Sequence, residues 1–187
     1  MSPFSWSFLR PAAAAPTLAD GRPLRIQPVT PAARPLIVRG LARISPETSR
    51  RRFFTVRRQF SDAELDALTD LDGENRFALG AIVRAADGDT EPVGVARFAR
   101  LPDAPAVAEI AILVVDAFQG QGVGRELLKR LASAALAKGI ARFRGIVQPD
   151  NRPVIRLLTQ FAAGPRIVPD GELLAIDVEL HTMRTAA

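Results

Sequence analysis

The pattern of apolar and polar positions predicts short helices in the first part of the chain, before extended segments take over. Residues 24–29 alternate as a strand does, with Leu24 and Ile26 on one side. Three helix-start signals follow, each a serine or threonine with proline next or glutamate three positions on: Thr30-Pro31, Ser45-Pro46 and Ser61 with Glu64. The sequence therefore predicts one strand and three helices, which end near residues 43, 54 and 72.

From residue 76 onward the pattern is mainly that of strands. Runs at 76–85 and 92–101 flank a polar turn around Gly88, which is typical of a hairpin. The next run, 108–115, is almost continuously apolar and indicates a central strand buried on both faces. The remaining predicted elements are a helix over 123–138, a strand over 143–147, a helix over 153–161 and a strand over 172–180. The order β-α-α-α-β-β-β-α-β-α-β predicts an α/β (α+β) fold with three consecutive antiparallel strands.

The composition is that of one folded domain. The chain has 187 residues, 48% of them hydrophobic and 24% charged, which suits one core rather than two. Residues 1–22 are rich in proline and alanine without a regular period, so we expect a poorly ordered arm, a domain over 23–182 and a tail over 183–187. The chain has no cysteine, which excludes disulfides and thiolate sites and favours the cytoplasm. No apolar run reaches the roughly 20 residues that cross a bilayer, so no membrane partner is expected.

Basic residues outnumber acidic ones, and nearly all of them are arginine. The formal net charge is +5, and the only lysines are Lys129 and Lys138. Arginines cluster at 50–52 and 57–58, which indicates either a solvated helix face or a site for phosphate, nucleic acid or an acidic protein. No aromatic residues are interleaved at base-stacking intervals, so nucleic acid is not expected as a partner.

The segment 109–124 carries the candidate chemistry. In it a buried strand ends, a loop with Gly120, Gly122 and Gly124 turns tightly, and a helix begins at once. Such a junction collects unpaired backbone N–H groups at the positive end of a helix. Glycine lets a pyrophosphate approach the backbone and also allows positive φ. The sequence therefore predicts an anion cradle.

A glycine-rich loop between strand and helix has three other interpretations. A P-loop would need lysine and then serine or threonine after the last glycine, but Arg125 and Glu126 stand there. A dinucleotide fingerprint would follow the first strand of a parallel βαβ unit, whereas this loop follows three hairpin-connected strands. A plain structural turn stays open as the alternative.

Two short motifs resemble those of a known superfamily. Gln119, Gly122 and Gly124 match the Q/R-x-x-G-x-G/A motif of the GNAT acetyltransferases, and Asn151, which opens a helix after a strand, resembles their second coenzyme-contacting motif. Within that superfamily the chain is similar to the acetyltransferase domain of bacterial Pat-type protein lysine acetyltransferases, through segments 40–47, 52–54, 93–98 and 108–110. The resemblance covers most of residues 24–180. It implies the GNAT fold, a twisted and mostly antiparallel sheet with helices on both faces.

The resemblance also implies how acetyl-coenzyme A would bind. Backbone groups at the end of the central strand would pair with the pantetheine arm, from Leu113, Val114 and Val115. The loop that Gln119 and Gly120 open would give its amides to the pyrophosphate, from Gln121, Gly122, Val123, Gly124 and Arg125. Asn151 would contact the arm from the other side. No metal is implied.

Transfer to an amine needs a base, because an amine is protonated at neutral pH. Glu109, at the start of the central strand, stands where similar protein acetyltransferases place a glutamate base, and a solvated carboxylate is the alternative. The resemblance therefore implies an enzyme that acylates a primary amine, with a protein lysine favoured as the acceptor. A homodimer stays open.

One departure from the GNAT pattern keeps other functions open. Members often carry a tyrosine seven residues after the position of Asn151, which protonates the leaving thiolate. This chain has no tyrosine, and Leu158 stands there, so the general acid is unassigned. The alternatives are a binding module that senses acyl-coenzyme A without turnover and a small-molecule amine acetyltransferase.

Overall fold

The helices and strands follow the predicted order, with one additional strand near the end. The computed structural model describes residues 16–161 and 164–180. The strands are β1 (Arg25–Pro28), β2 (Arg76–Arg84), β3 (Thr90–Leu101), β4 (Ala104–Val114), β5 (Arg142–Val147), β6 (Arg166–Asp170) and β7 (Leu173–Glu179). The helices are α1 (Arg34–Leu41), α2 (Pro46–Phe53), α3 (Asp62–Thr69), α4 (Val123–Leu136) and α5 (Arg152–Phe161), with 3-10 turns at Pro31–Ala33 and Asp116–Phe118.

The strands of the described residues form one sheet in the order β1-β2-β3-β4-β5-β7-β6. β4 and β5 run parallel, and the other neighbouring pairs are antiparallel. The three consecutive antiparallel strands expected from the sequence are β2, β3 and β4. The prediction of a mixed, mostly antiparallel sheet is therefore confirmed.

β4 and β5 separate at their carboxyl ends. Their pairing is limited to residues 107–110 opposite 142–145, although β4 continues to Val114 and β5 to Val147. β5 stays paired with β7 along its whole length. A wedge therefore opens between the two central strands, and beyond Ile110 the edge of β4 that faces the wedge has no strand partner among the described residues.

Helices cover both faces of the sheet, because side chains alternate between the two faces along each strand. On one face α4 inserts Leu127, Leu128 and Leu131, all at most 1% exposed, into a core that includes Leu79 and Phe98. On the opposite face α1 lies over β3, and a small cavity between them is lined by Ala78, Arg97 and Ala111. The expectation of helices on both faces is confirmed.

Local capping signals set the starts of α2 and α3. The Ser45 hydroxyl accepts a hydrogen bond of 3.1 Å from the Thr48 amide, and Ser61 and Glu64 form the predicted capping box. The first predicted helix starts differently, as a 3-10 turn that passes into α1 at Arg34. Pro35 has no N–H to donate to the Pro31 carbonyl, so α-helical bonding cannot begin at Pro31.

The sequence pattern did not predict β6. This strand lies at the edge of the sheet, beside β7, and contains Pro169. Most of its residues are exposed, so it lacks the apolar alternation that identifies a half-buried strand. A proline within a short run also argues against a strand unless the strand is at an edge.

Part of the segment predicted as an arm lies within the described residues. Residues 17–22 form a tight turn, closed by hydrogen bonds of 2.9 Å from the Leu18 amide to the Arg22 carbonyl and from the Gly21 amide to the Leu18 carbonyl. Leu18 is 3% exposed and joins the core. Residues 1–15 of the predicted arm and the predicted tail lie outside the described residues. No helix in the described part of the chain is both long enough and apolar enough to cross a membrane.

Candidate active site

A cleft of about 360 Å³ occupies the wedge between β4 and β5. Its walls are the end of β4, the loop that leads into α4, the start of α5 and one side of α2. Nine of the residues predicted to bind the coenzyme line it: Leu113, Val114, Gln119, Gly120, Gly122, Val123, Gly124, Arg125 and Asn151. The structure thus brings together residues that are up to 38 positions apart in the sequence.

The loop at the head of α4 presents free amides to this cleft. The Gln119 amide donates to the Asp116 carbonyl, and the Glu126 amide makes the first helical bond, to the Gly122 carbonyl. The amides between them, 120–125, have no backbone acceptor among the described residues. An anion seated there would receive several N–H donors at the positive end of the helix dipole.

The glycines of the loop have separate roles. Gly120 and Gly122 have φ of 73° and 83°, a backbone conformation that other residues adopt only at a cost. Gly124 has no such need, but a Cβ on it would lie 3.3 Å from Leu157 Cδ2 and 3.7 Å from Ile112 Cδ1. Two glycines therefore shape the turn, and the third keeps the floor of the cleft clear.

Along the free edge of β4, only every second residue points its backbone N–H and C=O groups into the wedge. The Val115 amide donates to the Val93 carbonyl at 3.0 Å, and the Val115 carbonyl accepts from the Phe118 amide at 2.8 Å. Because backbone groups of successive strand residues point to opposite neighbours, Leu113 also points its backbone towards β3. The backbone groups that face the wedge are therefore those of Ile112 and Val114, and Ile112 is a residue that the sequence analysis did not select.

The side chains of the two loop glutamines make hydrogen bonds to other residues of the protein. Gln119 Nε2 donates to the Val114 carbonyl at 3.1 Å and to Thr48 Oγ1 at 3.2 Å. Gln121 Nε2 donates to the Ala117 carbonyl at 3.0 Å, and Gln121 and Val115 do not line the cleft. Gln119 thus ties the loop to α2.

Asn151 stands on the opposite wall, immediately before α5. It is only 5% exposed, and its carbonyl accepts the first helical bond, from the Ile155 amide. Its side-chain amide has no hydrogen-bond partner among the described residues. A nearly buried amide of this kind normally has a partner, so Asn151 is well suited to bind a polar group in the cleft.

Glu109 lies in a second, smaller cavity of about 60 Å³ that adjoins the cleft. The two cavities share five residues in their walls: Arg51, Arg52, Ile112, Asn151 and Val154. Glu109 itself is exposed and lies on the side of β4 that faces α2. A ligand that lies along β4 from the loop could therefore bring its far end to the Glu109 carboxylate.

The helix α2 is held at both sides of the cleft. Asp116, in the 3-10 turn that follows β4, accepts hydrogen bonds from Ser45 N at 2.9 Å, Ser45 Oγ at 2.6 Å and Thr48 Oγ1 at 2.9 Å. On the other side Arg50 donates to Gln148 and Asp150, each at 3.1 Å, in the segment between β5 and α5. α2 is therefore a wall of the site as well as a surface helix.

The arginines of α2 have a place in the site that the sequence pattern did not indicate. Arg51 and Arg52 both line the cleft and the Glu109 cavity. The pKa of Arg52 is lowered to about 10, first by burial and then by the nearby charge of Arg97, while the charge of Glu109 opposes the change. The signal in the sequence that could have found Arg52 is its spacing of four residues from Thr48, which places Thr48 and Arg52 on one side of α2.

Leu158, at the position where related enzymes often carry tyrosine, is a core residue with 1% exposure. Its Cδ1 lies 2.8 Å from the place where a Cβ on Gly145 would stand. Among the described residues no group of histidine, cysteine, aspartate or glutamate side chains is arranged to hold a metal ion.

Fold and site define an acetyl-coenzyme A-dependent N-acetyltransferase: the wedge between two parallel strands, the free amides at the head of α4 and the Gln-x-x-Gly-x-Gly loop occur together. The sequence model of the Acetyltransferase (GNAT) family matches residues 45–162, which is more than half of the chain. The chain belongs to this family.

Individual relatives agree with this assignment. The chain is 30% identical to acetyltransferase PA5475 of Pseudomonas aeruginosa over 136 residues, 73% of this chain and 72% of that one. It is 31% identical to acetyltransferase Pat of Mycolicibacterium smegmatis over 139 residues, 74% of this chain but 40% of that one. The crystal structure of the GNAT domain of S. lividans PAT superposes with a TM-score of 0.78 at 28% identity, over 89% of this chain and 96% of that one.

Proposed function

We propose that this protein transfers an acetyl group from acetyl-coenzyme A to the side-chain amine of a protein lysine, with Glu109 as the general base. One observation carries the proposal. The free amides at the head of α4 and the Glu109 carboxylate lie at two ends of adjoining cavities. A donor bound by its phosphates at one end would have its thioester near the carboxylate at the other.

The amides of residues 120–125 would bind the pyrophosphate of the donor. The backbone edge at Ile112 and Val114 would pair with the amide groups of the pantetheine arm, as a further strand would. Asn151 would contact the arm from the α5 side. Acetyl-coenzyme A supplies the activated acetyl thioester, and the binding groups on both walls are the chain's own.

At the reacting end Glu109 would accept a proton from the ammonium group of the acceptor. The amine lone pair then forms the C–N bond at the thioester carbonyl carbon, the nitrogen gives up its second proton to water, the C–S bond breaks, and the coenzyme leaves as a thiolate. A general base contributes about 10²- to 10⁴-fold to such a step. The exposed position of Glu109 lets the proton pass on to water afterwards.

Two features favour a lysine side chain as the acceptor. Phe54 lines the Glu109 cavity, is 47% exposed, and is held with φ of 61° at the end of α2. An exposed ring at the entrance gives an apolar surface for the methylene chain of lysine, which readily packs along such surfaces. The sequence resemblance to Pat-type protein lysine acetyltransferases supports the same acceptor.

The test is Glu109→Gln, which keeps the shape of the side chain and removes the base. We expect kcat to fall by about 10²- to 10⁴-fold, while calorimetry shows unchanged affinity for coenzyme A. Glu172→Gln is the matched control, because Glu172 is exposed in the turn before β7. This substitution removes the same charge as Glu109→Gln. Lysine peptides and free small amines are compared as acceptors.

Three results would contradict parts of the proposal. A wild-type protein that binds coenzyme A but releases no thiol with any amine is a sensor. Turnover with small amines alone excludes the protein acceptor. A Glu109→Gln variant that is as fast as wild type excludes Glu109 as the base.

A further inference from the structure

We propose that Arg52, together with Arg51, forms a carboxylate-binding subsite beside Glu109, so that the enzyme prefers a substrate that carries a second, anionic group near the reacting atoms. The inference rests on the proposed function, because that function places the reaction beside Glu109. The carboxylate has two sources with the same chemistry, the far end of a dicarboxylic acyl chain or an acidic group on the acceptor.

The guanidinium of Arg52 has no acceptor in the described part of the chain. No hydrogen bond or ion pair involves it there, and its contact is with a ring, with Cζ 4.8 Å from the centroid of Phe53. Its neighbours on α2 differ, since Arg50 pairs with Asp150 and Arg51 with Glu47. Arg52 is partly buried, and a partly buried guanidinium normally binds a carboxylate or other acceptors, because removing its charge from water is costly.

Arg51 supplies a second unused donor. Its Nη2 pairs with Glu47 Oε1 at 2.5 Å, but its Nε is buried and has no hydrogen-bond partner within residues 16–161 and 164–180. A buried donor left without a partner destabilises the protein, because it has lost its hydrogen bonds to water. Because Arg51 and Arg52 line the same two cavities, one ligand oxygen pair could satisfy donors from both.

The charges around this position leave room for an anion. Arg52 is close to Glu109 on β4 and to Arg97 on β3, so two cations accompany one carboxylate, in addition to the Arg51 guanidinium. Arg51 is already paired with Glu47. A ligand carboxylate beside Arg52 would therefore restore charge balance rather than add to an existing negative charge.

The position of Arg52 does not suit binding to the phosphates of the donor. Thr48 marks the loop end of α2, through its contact with Gln119. Arg52 is four residues further along, about 6 Å by helical rise, in the direction of Glu109. It also lines all three cavities that meet here, whereas the free amides that suit phosphate lie at 120–125. Arg52 is thus at the reacting end of the site.

Steady-state kinetics with matched substrates tests the subsite. One arm compares acetyl- and succinyl-coenzyme A with the same amine, which carries no carboxylate. The other arm uses acetyl-coenzyme A and compares lysine peptides that have aspartate or asparagine beside the lysine. We expect kcat/KM to favour the carboxylate substrate by about 10- to 100-fold in one arm, as for a charge-assisted bidentate contact. The arm that responds identifies the source of the carboxylate.

Variants assign the preference to Arg52. Arg52→Gln should abolish the preference, measured as the ratio of the kcat/KM values for the substrates with and without the carboxylate, and Arg52→Lys should restore part of that ratio. Arg58→Gln is the matched control, because Arg58 is exposed and does not line any of the three cavities. Thermal unfolding of each variant shows whether it is folded.

Two outcomes overturn the inference without touching the proposed function. Wild-type enzyme has no such subsite if its kcat/KM is the same for acetyl- and succinyl-coenzyme A and also the same for lysine peptides with aspartate and with asparagine. A preference that survives in Arg52→Gln belongs to other residues. The absence of turnover with every substrate would instead contradict the proposed function itself.

Discussion

Asp116 should contribute far more to stability than Asp150, although both acidic residues hold α2. Asp116→Asn keeps the size of the side chain, and its amide oxygen can still accept from Ser45 Oγ and Thr48 Oγ1. Its amide nitrogen, however, would face the Ser45 N–H group, which now donates to Oδ2 at 2.9 Å. One charge-assisted bond is lost and one donor is left unpaired, so we expect a loss of about 2–3 kcal/mol.

For a chain of this length that loss corresponds to a fall in Tm of about 4–12 °C. Asp150→Asn is the matched comparison, because it breaks the ion pair between Arg50 and Asp150 on the other side of the cleft, where both side chains are exposed. An exposed pair contributes little, so its Tm should stay within the error of the measurement. Thermal unfolding followed by circular dichroism measures both, and calorimetry should show weaker coenzyme A binding for Asp116→Asn.

The effect should also depend on pH. Burial alone would raise the pKa of Asp116, but hydrogen bonds from Ser45 and Thr48 outweigh it and hold the pKa below its usual value. A lowered folded-state pKa stabilises the protein above the unfolded pKa of about 3.9, and this is lost as the pH falls through the folded value. The gap between wild type and Asp116→Asn should therefore narrow below pH 4. Equal destabilisation by the two variants at neutral pH would refute the view that the Asp116 side holds α2.

Three further substitutions separate local strain from ligand binding and test a partly buried ion pair. Gly122→Ala and Gly88→Ala should each lower stability by about 1–2 kcal/mol, because both glycines have positive φ, 83° and 86°. Only Gly122→Ala should weaken coenzyme A binding. Equal affinities of the two variants would contradict the role of the loop before α4 in binding the coenzyme. Arg144→Gln should cost about 2 kcal/mol at pH 7 in urea unfolding, since Asp177 is 8% exposed and accepts two bonds from Arg144. Those bonds lower the pKa of Asp177, so the difference from wild type should shrink as the pH falls below about 4; a constant difference would argue against the pair.

The sequence predicted those features that depend on neighbours in the chain. The cap at Ser45, the capping box at Ser61 and the glycine loop before α4 are each built from residues a few positions apart, and each is in the structure. β6 was missed for a local reason as well, since Pro169 and its exposed neighbours erase the strand pattern. Propensity and period therefore account for most of the element order.

The walls of the site depend on contacts that no local pattern contains. Ser45 meets Asp116 across 71 positions, and Arg50 meets Gln148 across 98. Without these contacts α2 would be the solvated, arginine-rich helix that its composition indicates. The same limit applies to the free edge of β4, because only the pairing of Val115 with Val93 shows which residues face the wedge.

The missing tyrosine has a structural explanation in the packing of Leu158. This side chain fills the space above Gly145, in the core beside the point where β4 and β5 separate. A larger aromatic residue would need that space, so no general acid can come from this position of α5 without repacking. A thiol has a pKa near 8.5, so a thiolate is a tolerable leaving group at neutral pH. The cleft is open to solvent, and Glu109, which is protonated during the attack, lies at its end. Water or the Glu109 carboxyl group can therefore give a proton to the leaving thiolate. Glu109 is then the one titratable side chain that the proposed chemistry requires.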